Sequence, residues 1–194
     1  MINNLSHVLA LKLYNHKVIN KDDIDLLSYS FFLIFSYVIY AFICLSCGLI
    51  FHCILESIIF YFFFSLLRMF TGGFHASTPK KCKYYSVIWT MAGLILVRFH
   101  WTNQLITECV LLISWLVLMV ISPVESRNRR LNIREKKIFG LRARVIATAE
   151  SAVAVILMLL HLYSFGYALA VAVFMCALMG ILGMWSEKRG KTDR

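Results

Sequence analysis

The stretch LLSYSFFLIFSYVIYAFICLSCGLIFHCILESIIFYFFFSLL, residues 26–67, decides the fold. It is apolar throughout, broken by Gly48, His52 and Glu56. A hydrocarbon core of ~30 Å takes about 20 residues of helix, so this run is too long for one membrane span and right for two. We place the first at about 27–48 and the second at about 50–68, with a tight turn near Gly48 to His52. The remaining apolar blocks give a third span at about 84–99, a fourth at about 105–122, a fifth at about 145–162 and a sixth at about 165–185. The segments lack the alternation of membrane barrel strands. The expected fold is therefore all-α: a polytopic integral membrane protein of about six transmembrane helices, residues 1–194 forming a single membrane-embedded domain.

Composition agrees. The 194 residues are 60% hydrophobic, with a mean hydropathy of +0.75, and a soluble domain of this size would expose far too much apolar surface. The net charge is +10. Its carriers flank the apolar blocks, so membrane topology accounts for it better than nucleic acid does. With the N-terminus in the cytoplasm, nineteen of the twenty basic residues fall on the inner side and Arg98 alone on the outer. The positive-inside rule thus puts both termini and the loop after the second span in the cytoplasm of a multi-pass cell-membrane protein. Residues 1–25 lack the apolar core of a signal peptide. Leu5, Val8, Leu9 and Leu13 recur there at helical spacing, as in an amphipathic helix on a membrane surface. Asn20 followed by Asp22 and Asp23 reads as a helix start.

Of the six cysteines, all but Cys82 lie in apolar spans, where they read as small buried hydrophobes. Cys44-x-x-Cys47 imitates a redox motif from inside a predicted membrane helix. Cys82 belongs to the polar stretch that follows residues 26–67: Arg68-Met-Phe-Thr-Gly72-Gly73-Phe-His75-Ala-Ser-Thr-Pro79-Lys-Lys-Cys82. We read 68–83 as a catalytic cytoplasmic loop. Seven residues of continuous helix would hold His75 and Cys82 about 10.5 Å apart along the axis, too far for a hydrogen bond. Gly72-Gly73 permits positive φ and a sharp exit from the second span. Pro79 disfavours helix at Thr78 and suits the first position of a new one, with Cys82 in its first turn. The positive end of that helix, with Lys80, Lys81 and Lys83, stabilises a thiolate. His75 titrates nearest neutral pH and can take or return a proton. Nucleophile and base together are the minimum for acyl transfer.

Other readings stay open on spacing alone. A loop Cys is usually inert and a loop His usually solvated. One Cys and one His make half a zinc site, and no other loop ligand is near, so neither metal nor cofactor is expected. Arg68 is either an anchor that snorkels to lipid headgroups or a binder of a carboxylate or phosphate. Glu56 and Glu150 lie within spans, where acids usually pair or act. The rival class is a non-enzymatic transporter or scaffold whose basic loops bind anionic membrane lipid.

The pattern Arg68-x3-Gly72-Gly73-x-His75-Ala76-x5-Cys82-x3-Ser86 resembles the signature of the accessory gene regulator protein B (AgrB) family. Pro123-x-Glu125-x2-Asn128, followed by a basic run, is also similar to that family, although Arg129-Arg130 stands where members often carry a basic residue and a proline. The resemblance spans nearly the whole chain. It implies a cysteine endopeptidase of Gram-positive quorum sensing, which removes the C-terminal tail of a short amphipathic AgrD-like propeptide and helps form a cyclic thiolactone or lactone. Cys82 then matches the nucleophile and His75 the general base, with Arg68, Gly72, Gly73 and Ser86 as supporting residues. The basic loop 125–144 is expected to draw in the acidic substrate tail through Arg129, Arg130, Lys136 and Lys137. Whether the protein pairs as a homodimer is left open.

Overall fold

The computed structural model describes residues 2–73, 79–100, 103–125 and 132–192. Every regular element among them is a helix. α1 (Ile2–Asn15) leads through a 3-10 turn, Lys21–Asp23, into α2 (Ile24–Ile50). There follow α3 (Ile54–Thr71), α4 (Pro79–Phe99), α5 (Gln104–Ile121), α6 (Ile133–Leu159) and α7 (Tyr163–Thr192). The fold is all-α; α2 to α7 cover the six stretches expected to span, but four rather than six of these helices are long and apolar enough to do so. Of these, α2, α3, α5 and the Tyr163–Ser186 part of α7 are long and apolar enough to cross a bilayer by themselves. α4 offers a shorter apolar helix, Tyr84–Phe99, because its first turn is basic. α6 is not among the spans because its N-terminal half carries five basic residues.

Contacts divide the chain into Met1–Ile43 and Cys44–Arg194. In the first unit α1 forms where the apolar spacing predicts it, but Leu5 and Val8 are exposed while Ser6 and Ala10 are buried. The inward stripe is thus Ser6 and Ala10 with the half-buried Leu9 and Leu13, while Leu5 and Val8 of the helical repeat face outward.

The second unit is organised on α7. Residues 166–173 and 175–177 are buried on all sides, as befits a helix that is apolar all round. α3, α4, α5 and α6 pack against it. Cys176 Sγ reaches Phe64 O at 3.6 Å, and Trp89 Nε1 donates to Met175 O at 3.3 Å. The outward faces carry Phe62, Ile88, Leu105, Leu112 and Val120, all exposed, an apolar surface suited to lipid.

Two boundaries differ from expectation. Gly48 was expected in the turn between the first two spans; α2 instead runs on to Ile50 and the chain reverses at residues 51–53. Gly48 serves packing: a Cβ there would lie 2.8 Å from Ser57 Oγ, so its absence lets α2 approach α3. Cys44 Sγ donates to Ser57 O at 3.3 Å in the same contact, and Cys47 Sγ meets Met91 Sδ at 3.3 Å. The two cysteines therefore have separate partners, as packing residues do. The second difference is the basic loop 125–144, which becomes α6 from Ile133 onward. The start is set by Asn132, whose N–H donates to Glu135 Oε2 at 2.9 Å. This is half of a capping box.

Candidate functional site

α3 ends at Thr71, and the chain leaves it through Gly72 (φ 70°) and Gly73 (φ 129°). Both values lie where an L side chain is strained. The exit is held from outside. Val124 N–H donates to Thr71 O at 2.8 Å, and Gly72 and Val124 form an isolated parallel bridge. A Cβ on Gly72 would overlap the Val124 carbonyl oxygen. The two segments are 52 residues apart in sequence, yet their backbones touch.

Arg68, half-buried in the last turn of α3, lies against the same exit. A Cβ on Gly73 would stand 2.7 Å from Arg68 Nη1 and 3.0 Å from Met179 O. The glycine therefore leaves room for both the guanidinium and the α7 backbone. Phe70, two residues on from Arg68, packs on Phe139 of α6 with ring centroids 6.0 Å apart, and the Arg142 guanidinium stands 5.8 Å from the Phe70 ring centre.

His75 lies outside the described residues. The chain is picked up again at Pro79, the first residue of α4, and Cys82 is the fourth residue of that helix. Ser86 follows one turn later and is half-buried. Arg129 and Arg130 also lie outside the described residues. Lys136 and Lys137 are exposed in the first turns of α6.

Beside the Gly72–Val124 bridge opens a cavity of about 770 Å³. Its walls come from the end of α5, residues 122–125, the start of α6 and Met184 of α7. Val120, Ile121, Val124 and Leu141 give it an apolar floor, while Lys136, Lys137 and Arg144 give it a basic edge. Glu125 is the acidic member of the lining, and Lys136 Nζ pairs with Glu125 Oε1 at 3.5 Å. Arg144 is anchored by Nε donating to Met119 O at 3.1 Å. An apolar trough with a basic edge suits an amphipathic chain that ends in acid groups. Two of the four expected tail-binding residues, Lys136 and Lys137, line it. In the sequence Arg144 is one member of a basic run, and Val124 carries no signal of its own. Nothing local in the sequence pairs Val124 with Gly72.

Comparison with known proteins gives the family. The family model described as Accessory gene regulator B matches residues 6–184. The AgrB-like protein 2 of Clostridium perfringens (strain 13 / Type A) is 24% identical over 144 residues, which is 71% of this chain and 67% of that protein. An AgrB-like protein of Clostridium perfringens (strain SM101 / Type A) is 23% identical over the same shares. No solved structure matches. A match over nearly the whole length of a multi-pass helical chain shows its kinship: the protein belongs to the accessory gene regulator B family, and with it to the processing of accessory gene regulator propeptides.

Proposed function

We propose that the protein is a membrane cysteine endopeptidase that cuts the C-terminal tail from a short amphipathic propeptide and promotes cyclisation of what remains. The observation that carries this reading is the bond from Val124 N–H to Thr71 O. It ties the glycine exit toward His75 to the wall of an apolar cavity with a basic edge. A bound tail in that cavity would bring the preceding peptide bond to the loop between α3 and α4.

The chemistry follows from the residues. Cys82 is in the first turn of α4, where the helix N-terminus and Lys80, Lys81 and Lys83 favour a thiolate. His75 is two residues beyond Gly73 and four before Pro79. Four residues of chain reach at most about 13 Å, so the spacing to Pro79 leaves His75 within reach of Cys82. Cys82 Sγ attacks the scissile carbonyl, and His75 gives its proton to the leaving amine as the C–N bond breaks. The acyl group is then a thioester on Cys82. A thiol or hydroxyl within the bound peptide attacks it, giving a ring thioester or ester and returning the Cys82 thiol. Thioester exchange is nearly balanced, while amide to thioester is uphill, so loss of the tail drives the sequence. The distribution of basic residues supports a cytoplasmic side for this loop, both termini and the cavity. The propeptide lies on the inner leaflet, its acidic tail toward Arg129, Arg130, Lys136, Lys137 and Arg144.

The test uses purified protein in lipid and a synthetic amphipathic propeptide carrying one Cys and an acidic tail. Cys82→Ala and His75→Ala each abolish cleavage while membrane insertion is unchanged. Cleavage that persists in Cys82→Ala overturns the peptidase reading in favour of a transporter or scaffold.

A further inference from the structure

The cavity beside the Gly72–Val124 bridge carries the cations Lys136, Lys137 and Arg144 and, among its described lining residues, one anion, Glu125. Glu125 Oε1 stands 3.5 Å from Lys136 Nζ. The architecture fixes both partners. Glu125 directly follows Val124, which is buried and bonded through its N–H to Thr71 O. On the other side of Val124, Pro123 lies against Gly140 of α6, where an added Cβ would come within 3.0 Å of Pro123 Cδ. Lys136 is the fourth residue of α6, whose start is set by the bond from Asn132 N–H to Glu135 Oε2. Glu135 thus gives a carboxylate oxygen to the helix cap, and Glu125 is the acid that meets the basic edge of the cavity.

The exposure of the pair decides what it can do. Lys136 keeps 54% and Glu125 37% of its side-chain surface in contact with solvent. An ion pair this open to water is weak, so it adds little to the packing of Pro123 on Gly140. For the same reason it opens when a second carboxylate competes for the ammonium. A neutral group offers the lysine no charge in exchange and leaves the pair closed. Discrimination of this kind needs an element that disfavours the wrong partner beside one that attracts the right one. Glu125 and Lys136 supply the two at one place in the cavity wall.

We infer that Glu125 is a specificity-determining residue of the cavity: it occupies Lys136 while the cavity is empty and is displaced by a carboxylate of the incoming propeptide tail. It touches neither the thiol nor the scissile bond. The inference rests on the proposed placing of an acidic tail in this cavity and adds to it the acid that the tail replaces.

The experiment separates binding from cleavage. Purified protein in phosphatidylcholine vesicles is titrated with two fluorescent tail peptides that lack the scissile bond. One is apolar with two Glu residues, and in the other both are Gln. The chains compared are the parent, Glu125→Gln, Lys136→Gln and the pair, with thermal unfolding recorded for each. Glu125→Gln tightens the acidic peptide about two- to fivefold, the worth of a half-exposed ion pair, with no change in unfolding temperature. It leaves the Gln peptide at the parental Kd. Lys136→Gln weakens the acidic peptide, and in that background Glu125→Gln brings no further gain, since both changes act on one pair. A parental Kd for the acidic peptide in Glu125→Gln, an equal gain for the Gln peptide, or the full gain without Lys136 each overturn the inference. Cleavage of the whole propeptide by the parent and by Cys82→Ala is measured alongside. Cleavage that needs Cys82, with tail binding that ignores Glu125, defeats this inference and leaves the peptidase reading standing. Tail binding as stated, with undiminished cleavage in Cys82→Ala, defeats the peptidase reading alone.

Discussion

Gly72→Ala tests the joint between the catalytic segment and the cavity. Gly72 has φ 70° and ψ −149°, a region essentially reserved for glycine. An L residue held there costs about 1–3 kcal/mol. The new Cβ also overlaps the Val124 carbonyl oxygen, so the bridge must part to admit it. Parting it gives up the bond from Val124 N–H to Thr71 O, worth about 0.5–1.5 kcal/mol. That bond favours the joined arrangement, so the penalty is the backbone strain and the overlap alone, about 1–3 kcal/mol each, together roughly 2 kcal/mol or more, or about thirtyfold or more at 1.36 kcal/mol per factor of ten. Hydrogen exchange with residue-level mass spectrometry reads this ratio directly at the Val124 amide. Protection there falls at least about thirtyfold, and cleavage of the propeptide falls with it. The helix amides of α5, remote from the bridge, keep their protection. Parental protection at Val124 in Gly72→Ala refutes the joint. Lost protection with parental cleavage refutes its role in the chemistry.

Two further variants separate structure from function. A Cβ at Gly93 would overlap the Phe60 ring, which is fully buried, so Gly93→Ala lowers stability by about 1–3 kcal/mol. The protein that remains folded alkylates at Cys82 at the parental rate; thermal unfolding and iodoacetamide labelling check the two halves. Changing Arg129, Arg130, Lys136 and Lys137 together to Gln leaves topology intact, because the other basic segments also specify it. It raises the apparent KM by up to roughly 1 kcal/mol per removed charge, less for Lys136, which already pairs with Glu125. The rise shrinks in 1 M salt, where the Debye length is about 3 Å. KM measured in low and high salt for parent and variant checks it, and identical curves mean that these residues serve lipid or topology alone.

The readable part of the fold was the part written in neighbouring residues. The length of the run 26–67 demanded two helices, and α2 and α3 supply them. Adjacent glycines at 72 and 73 announced positive φ, and Pro79 announced a helix start; both are found. The helix-start signal Asn132-x-x-Glu135 is equally local but sits inside a basic run that reads as loop. What the sequence hides is the meeting of distant helices. Val124 bonds across to Thr71 because α5 ends at the same level of the bundle as α3, and no periodicity encodes that. In the sequence Arg68 reads as an anchor or an anion binder; its place beside Gly73 depends on the glycine's lack of a side chain, which no local pattern encodes.

The central claim is that Cys82 carries the acyl group. The most direct measurement is intact-mass spectrometry of the purified protein, quenched in acid during turnover of the propeptide. The account predicts an adduct whose mass is that of the propeptide without its tail, mapped to Cys82, released by hydroxylamine and absent from Cys82→Ala. Cleaved propeptide accumulating from Cys82→Ala, or a hydroxylamine-labile adduct on any other residue, would contradict it.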